Sequence, residues 1–206
     1  MTYVTLDAIE ARLGGNVLPE QRTALADELL SACTAIDVHC RQTFTTATSA
    51  TAKTYRPLNG YTAWVDPFYT TIGLIIQTDT NDDSTFATTW VASDYELDYF
   101  GGDWGMSIGA PYDTIRGIAS VFPTYARRGR TLQVTAKWGW ATCPQNVIEA
   151  TKVVTLDLWR RKDAPFGSTT GGAHEFGALR LSKSALDAAV PLLEAFVRKD
   201  RTVGFG

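Results

Sequence analysis

The spacing of apolar residues changes along the chain from a helical period to a strand period and back, and this change constrains the fold most. Between Pro19 and Arg41, apolar side chains recur every three to four residues, as on one face of a helix. Between Thr131 and Trp140 they alternate with polar or small residues, which is the period of a strand. Helical spacing returns after Pro144. This order predicts an α+β fold, a small helical bundle with an inserted antiparallel β segment.

The first two helices are predicted to form an N-terminal helical hairpin. Thr5 can cap a short helix over residues 5–13, and Gly14-Gly15 ends it. In the second helix, Leu29 and Ile36 lie on the single apolar stripe and are predicted to be core residues.

Two further helices are predicted in the C-terminal part of the chain. Pro144 suits the first position of the third helix, which runs to about Lys162. Ser184 starts a fourth helix that runs to about Arg198, and Pro191 either kinks this helix or moves its start later.

Seven strands are predicted between the helices, and the last of them is the clearest. We expect Trp138, Trp140 and Trp159 to share a core between this last strand and the third helix. The candidate strands are 55–58, 63–65, 72–78, 88–91, 95–99, 115–122 and 131–140.

The chain shows neither an internal repeat nor a second domain, so we predict a single domain over residues 1–206. Its threonine-rich stretch 43–54 is predicted to be a loop or an edge strand. A stretch rich in Gly, Ser and Thr joins the last two helices, and we expect it to be mobile. The predicted parts are a helical hairpin (1–42), an inserted β region (43–141), helices (142–198) joined by the mobile loop 163–178, and a tail (199–206).

The composition is that of a folded globular chain, with 206 residues, 45% apolar and 20% charged. The longest apolar run, 72–76, is far short of a membrane span, and residues 1–4 lack the features of a signal peptide, so we expect a cytosolic protein. Residues 1–124 carry 6 basic and 15 acidic side chains, a net charge of −9. Residues 125–206 carry 13 basic and 7 acidic side chains, a net charge of +6. Such a chain suits stacking on its own copies or on another protein better than gripping nucleic acid.

One short motif resembles a catalytic nucleophile. Gly105-Met-Ser-Ile-Gly109 matches the G-x-S-x-G pattern in which a strained turn between a strand and a helix exposes the serine. Here Pro111 follows instead of a helix, and His174, in the predicted mobile loop, is the only histidine downstream. We therefore interpret the motif as a glycine-rich loop.

Two further patterns resemble metal sites. Asp79, Asn81 and Asp83 match the start of a calcium loop, but Ser84 stands where glycine is expected and Trp90 where glutamate is expected. This pattern predicts a solvated turn between strands.

The three cysteines, Cys33, Cys40 and Cys143, are too few and too irregular for a disulfide framework, so we expect free core thiols. His39 beside Cys40 could suggest a metal, but three ligands at this spacing on one helix do not converge on a tetrahedral site. Since no catalytic set, cofactor motif or metal site remains, the residues predict a structural or binding protein and not an enzyme.

Several stretches, taken in their order along the chain, resemble the head–tail connector (adaptor) proteins of tailed bacteriophages. The stretch that most resembles the family is a predicted strand that ends in Trp138-Gly-Trp140 and is followed directly by a predicted helix that starts at Pro144. The resemblance covers nearly the whole chain, and its motifs are architectural. The stretches that carry it are 3–13, 35–44, 55–58, 94–97, 134–150 and 159–167.

The resemblance implies a structural role without catalysis or a cofactor. Members of the family form a ring, usually twelvefold, below the portal protein in the virion neck, after assembly in the host cytoplasm. The ring extends the DNA channel, through which the genome passes without sequence-specific binding, and docks a stopper or tail-terminator protein. A ring needs an interface between two different patches, and the acidic and basic parts of this chain could help to align them.

The family also implies that the C-terminal tail reaches the portal. In this chain the tail residues concerned are Arg198, Lys199, Arg201 and Phe205. Two alternatives stay open: another neck or tail-completion protein of the stopper kind, and an enzyme or small-molecule binder of unknown type.

Overall fold

The computed structural model describes residues 2–15, 17–124, 129–162 and 185–198. Short 3-10 helices, Pro19–Gln21 and Glu194–Phe196, precede the second α-helix and follow the last one. The α-helices are α1 (Leu6–Arg12), α2 (Arg22–Cys40), α3 (Asp103–Ser107), α4 (Gln145–Lys162) and α5 (Val190–Leu193). The strands are β1 (Thr51–Tyr55), β2 (Thr62–Phe68), β3 (Ile75–Thr78), β4 (Thr88–Thr89), β5 (Tyr95–Tyr99), β6 (Tyr112–Gly117) and β7 (Leu132–Ala136).

The chain divides into two compact units, whose boundaries follow Thr43 and Thr142. The helical unit contains α1, α2, α4 and α5, and the β unit contains all seven strands and α3. The α+β fold is thus confirmed. That both regions form one domain stays a prediction. In the described part of the chain, no helix is long and apolar enough to cross a membrane.

The helical unit is built on the predicted apolar stripe of α2. Thr5 caps α1 by accepting a hydrogen bond from the backbone N–H of Ala8 at 3.3 Å. Arg12, at the end of α1, pairs with Glu149 of α4 at 2.6 Å. The buried residues of α2 are Leu25, Leu29, Ala32, Cys33, Ile36 and Cys40, as the spacing predicts.

The β unit contains two antiparallel sheets. One has the strand order β1-β7-β3-β4, and the other has the order β2-β6-β5. Strand β7 shows the predicted alternation, because Leu132, Val134 and Ala136 are fully buried while Gln133 and Thr135 are not. One core cluster draws side chains from both sheets, including Val65, Ile76, Ile115, Val134 and Trp138.

Several predicted elements differ in the structure. Strand β6 spans Tyr112–Gly117, whereas the sequence predicts a strand at 115–122. The fourth helix is much shorter than predicted: residues 185–189 form turns, and α5 begins at Val190 with Pro191 in its first turn. Proline has no N–H for an earlier helical turn, which explains the late start. The strand predicted at 55–58 lies instead at Thr51–Tyr55, so the threonine-rich stretch ends in the edge strand β1.

The glycine-rich loop predicted at residues 105–109 contains the end of a short helix. Helix α3 includes Gly105, whose position would bring an added Cβ within 1.7 Å of the Phe100 carbonyl oxygen. Only glycine fits this close approach, so here the residue packs a helix and does not loosen a loop. The predicted mobile loop 163–178 and the tail 199–206 lie outside the described residues.

Candidate assembly surfaces

The serine of the G-x-S-x-G motif is not held in a nucleophile elbow. Ser107 is exposed at the end of α3, and its hydroxyl donates a hydrogen bond to the Trp104 carbonyl oxygen at 2.6 Å. A nucleophile elbow needs the serine before a helix, between that helix and a strand. The Ser107 hydroxyl therefore stabilises the local backbone at the end of α3.

The turn that resembles a calcium loop is held by hydrogen bonds from its own backbone to the side chain of Asp79. The buried Asp79 carboxylate accepts hydrogen bonds from the backbone N–H groups of Asn81, Asp83 and Ser84, at 3.2, 3.3 and 2.8 Å. Burial acts to raise the pKa of Asp79, but these donors, together with the N–H of Asp82, hold that pKa below its ordinary value. The carboxylate is thus engaged by donors and not arranged for a cation.

The three cysteines are free thiols, two of them buried and Cys143 partly buried. Cys33 and Cys40 are buried on α2, and burial raises the pKa of Cys40 and of Cys143 to about 12. The thiols are therefore protonated at neutral pH, which is the unreactive form. In the described residues, no group of three His, Cys, Asp or Glu side chains could hold a metal ion.

The Trp138-Gly139-Trp140 segment fixes the start of the β unit. The backbone N–H of Trp140 donates to the Thr45 carbonyl oxygen at 3.0 Å, and Gly139 forms a bridge with Thr46. Gly139 has φ +99°, and an added Cβ would lie 1.8 Å from the Thr45 oxygen. This segment is thus a joint that holds two distant parts of the chain together.

The predicted core residues lie in different clusters. Leu29, Ile36 and Trp140 are almost fully buried, and Trp138 is 8% exposed in the β unit's cluster. Trp159 is half-buried and packs on the helical unit's cluster, which contains Leu29. Trp138 and Trp159 therefore belong to two clusters, whereas the sequence predicts a shared core.

Four exposed apolar side chains lie on three loops at one end of the three-stranded sheet. Tyr61, Val91, Ile118 and Val121 are between 54% and 62% exposed, and we call them the sheet-end patch. Tyr61 precedes β2, Val91 precedes β5 and Ile118 follows β6, so the antiparallel order brings their loops to the same end. Large contiguous patches of exposed apolar surface mark contact sites, so these loops are a candidate for one.

Backbone hydrogen bonds tie the first and third of these loops together. The N–H of Gly117 donates to the Tyr61 carbonyl oxygen at 2.9 Å, and the N–H of Phe122 donates to the Gly60 oxygen at 2.7 Å. These bonds hold Tyr61 and Val121 on a fixed backbone, so ordering them in a contact would cost little entropy.

The second loop joins the same frame. The N–H of Ile118 donates to the Asp94 carbonyl oxygen at 2.9 Å, and the Asp94 carboxylate accepts from the N–H of Val91 at 2.8 Å. Beneath the loops, the rings of Trp90 and Phe122 stack with centroids 4.4 Å apart. The sheet-end patch is therefore a preformed surface.

Sequence reasoning did not identify the sheet-end patch. Val91 ends the predicted strand 88–91, and Ile118 and Val121 fall within the predicted strand 115–122, where apolar residues are expected to be buried. A weak signal was present, because Gly60, Gly117 and Ser120 are turn-forming residues beside members of the patch.

A polar cleft of about 640 Å³ lies elsewhere in the β unit, beside β5, β6 and α3. Its lining includes Asp98, Asp103, Asp113 and Arg116, and Arg116 pairs with Asp98 at 2.9 Å. The buried Asp113 accepts a hydrogen bond from the Thr114 hydroxyl at 2.9 Å. These partners make the cleft a structural polar network.

Of the predicted portal-binding residues, only Arg198 is described. Its backbone N–H donates to the carbonyl oxygen of Cys40 at 2.9 Å, where α2 ends. Gln42 supports the same segment, because its side-chain amide donates to the Phe196 carbonyl oxygen at 2.6 Å. The start of the tail is thus anchored to the end of α2, while Lys199, Arg201 and Phe205 lie outside the described residues.

The chain is similar in structure to a chain in the neck of an empty GTA particle computed with C6 symmetry. That match has a TM-score of 0.54 at 16% identity and covers 98% of this chain and 92% of the other. A chain in the neck of a native GTA particle, computed with C12 symmetry, matches with a TM-score of 0.49 at 14% identity, covering 99% and 96%. No family model and no curated protein matches the sequence. At 16% identity, the first likeness establishes a shared fold.

Proposed function

We propose that this chain is a structural protein of the neck of a phage-like particle, and specifically its head–tail connector (adaptor). It forms a ring below the portal protein, extends the DNA channel and docks the next neck or tail protein. Genome DNA passes through the ring without sequence-specific contacts.

The observation that carries the proposal is the fold likeness to a neck chain of a GTA particle, which spans 98% of this chain. GTA particles are phage-derived gene transfer agents, and their neck proteins are structural, which supports a structural role for this chain in a phage-like neck. The order of motifs that resembles the connector family supports the same role from the residues.

A ring is built from heterologous contacts, in which one patch of a copy meets a different patch of the next. The sheet-end patch offers one such surface. It presents apolar side chains at 54% to 62% exposure on a backbone fixed by hydrogen bonds. We infer that it is buried against the neighbouring copy or against the next neck protein.

We assign the contact with the portal to the C-terminal tail, as the resemblance to the connector family implies. Arg198 stands at its start and is held by the carbonyl oxygen of Cys40. Lys199, Arg201 and Phe205 follow and supply two positive charges and one aromatic ring. Such residues suit an acidic and apolar groove on a portal subunit.

The test is to mix the purified protein with portal rings from its own source and to image the mixture by negative stain. We expect additional ring density on one end of the portal. A matched variant, Arg198→Ala with Lys199→Ala and Arg201→Ala, should lose portal binding but keep its thermal unfolding temperature. Portal rings that stay bare at every protein concentration would reject the connector role, and the stopper-like alternative would then be tested on completed necks.

A further inference from the structure

Two arginines from distant parts of the sequence lie together at one end of the four-stranded sheet. Strands β1 and β7 pair in antiparallel register up to Tyr55 and Leu132. Arg56 directly follows the end of β1, and Arg130 stands just before the start of β7. An added Cβ at Gly129 would lie 3.4 Å from Nε and Cζ of Arg56. The Arg56 guanidinium group therefore lies over the backbone beside Arg130, and we call Arg56 and Arg130 the arginine pair.

The arginine pair has no counter-ion in the described part of the chain. Both residues are exposed, and neither takes part in an ion pair between described residues. By contrast, Lys53 on the adjoining strand pairs with Asp66 at 2.8 Å. Two like charges that lie side by side without a counter-ion repel each other, so an anion bound to both would be stabilised by both.

The surroundings of the arginine pair suit a phosphate better than a partner protein. The neighbouring Pro57 and Leu132 are buried, so they offer no apolar side chain to the centre of a protein contact. Arg127 and Arg128, which lie outside the described residues, add two positive charges to the same segment of the sequence. Guanidinium groups bind phosphate oxygens through two parallel hydrogen bonds, which makes arginine well suited to a phosphate backbone.

We propose that the arginine pair contacts the phosphate backbone of duplex DNA. This contact rests on the connector role proposed above, because a ring that extends the DNA channel brings duplex DNA to each copy. Contacts to phosphate carry no sequence information, so they are compatible with the passage of any genome.

A single copy should bind DNA weakly. The chain has a net charge of −3, and the acidic turn 79–84 adjoins β7, since the N–H of Asp79 donates to the Thr131 carbonyl oxygen at 2.9 Å. Asp83 in this turn is exposed and repels phosphate. We therefore expect a Kd on the order of 100 µM for the free chain. A ring repeats the arginine pair once per copy, so many weak contacts together retain the DNA in the channel.

Fluorescence anisotropy of a labelled DNA duplex tests the contact on the full chain, at salt concentrations from about 20 mM to about 200 mM. Arg56→Gln with Arg130→Gln should raise the Kd about tenfold at the lowest salt. It should also reduce the slope of log Kd against log salt by about 1.8, or about 0.9 for each lost phosphate contact.

The matched control is Lys137→Gln with Arg160→Gln. It removes the same charge from two cations that also lack an ion pair among the described residues. This control should change the Kd less than about twofold. Arg56→Lys with Arg130→Lys keeps both charges and should keep the wild-type salt slope, because the contact with phosphate is electrostatic.

A wild-type chain that does not bind the duplex at the lowest salt overturns the proposal, and so does a glutamine variant that binds as tightly as wild type. If that variant keeps its DNA binding but no longer caps portal rings, the arginine pair contacts a protein instead. The connector role is judged separately by the portal mixture. A chain that caps portals without using the arginine pair for DNA overturns only the DNA contact, and one that uses the pair for DNA but ignores portals rejects only the connector role.

Discussion

At Gly139 the backbone adopts φ +99°, and the Thr45 carbonyl oxygen would lie 1.8 Å from any Cβ. A side chain is excluded here for two reasons, the dihedral angle and the contact. We expect Gly139→Ala to lower the free energy of unfolding by about 3 kcal/mol or more, because Thr45 must move and its hydrogen bond with Trp140 is lost. Urea unfolding followed by tryptophan fluorescence measures this change.

Gly73 provides the matched control for the dihedral angle alone. It has φ +80°, but an added Cβ would meet nothing within 4 Å. Gly73→Ala should therefore cost only about 1 kcal/mol. Equal costs at the two positions would show that the contact with Thr45 does not matter.

Asp79 should make the stability of the protein depend on pH. Its pKa in the folded state lies below the ordinary value of 3.8, so the ionised carboxylate favours folding. This contribution is complete above pH 3.8 and is lost as the pH falls through the lowered pKa of the folded state. The wild-type protein should have a larger free energy of unfolding than Asp79→Asn. This difference should therefore shrink on acidification below pH 3.8. Urea titrations across that range measure it, and a difference that grows instead would contradict the role of Asp79.

At the scale of single residues, the sequence predicts local turns better than it predicts burial and long-range contacts. The stretch around Asp79 is predictable as a turn from its composition, yet the burial of its carboxylate is not. Gly139 stands in a motif that the sequence singles out, but the partner that excludes its side chain, Thr45, lies far away in the chain. Such long-range contacts cannot be derived from local spacing.

At the scale of the elements, helix α2 has a buried face and an exposed face. Two adjacent leucines lie on either side of the boundary between them. Leu29 is 2% exposed and Leu30 is 48% exposed. Leu29→Ala should lower the free energy of unfolding by about 2 to 5 kcal/mol, because it leaves a cavity in the helical unit. Leu30→Ala makes the same chemical change and should cost less than about 1 kcal/mol. Thermal or urea unfolding distinguishes the two, and similar costs would mean that Leu30 is covered in solution.

The elements that the sequence predicts best are those whose apolar residues recur at a regular spacing. Helices α1 and α2 and strands β5 and β7 lie at or near their predicted positions because burial imposes the spacing of their apolar residues. Strand β1 is exposed over most of its length, so no apolar alternation marks it, and its pairing with β7 defines it instead. Helix α3 has only five residues and depends on the close approach of Gly105 to Phe100.

For the whole molecule, the sheet-end patch should control assembly. Val91→Glu places a charge in the patch and should prevent ring formation in native mass spectrometry while leaving the unfolding temperature unchanged. Ile72→Glu is the matched control, since Ile72 is 76% exposed in the loop before β3. A Val91→Glu protein that forms rings as readily as wild type would remove the patch from the interface.

The central claim, a place in the neck between portal and tail, is tested most directly by cryo-EM of the intact particle from which the chain comes. The account predicts a ring directly below the portal into which the helical unit and the β unit can each be fitted, with the C-terminal tail directed toward the portal. Neck density that accommodates neither unit, or particles whose neck lacks this chain, would contradict it.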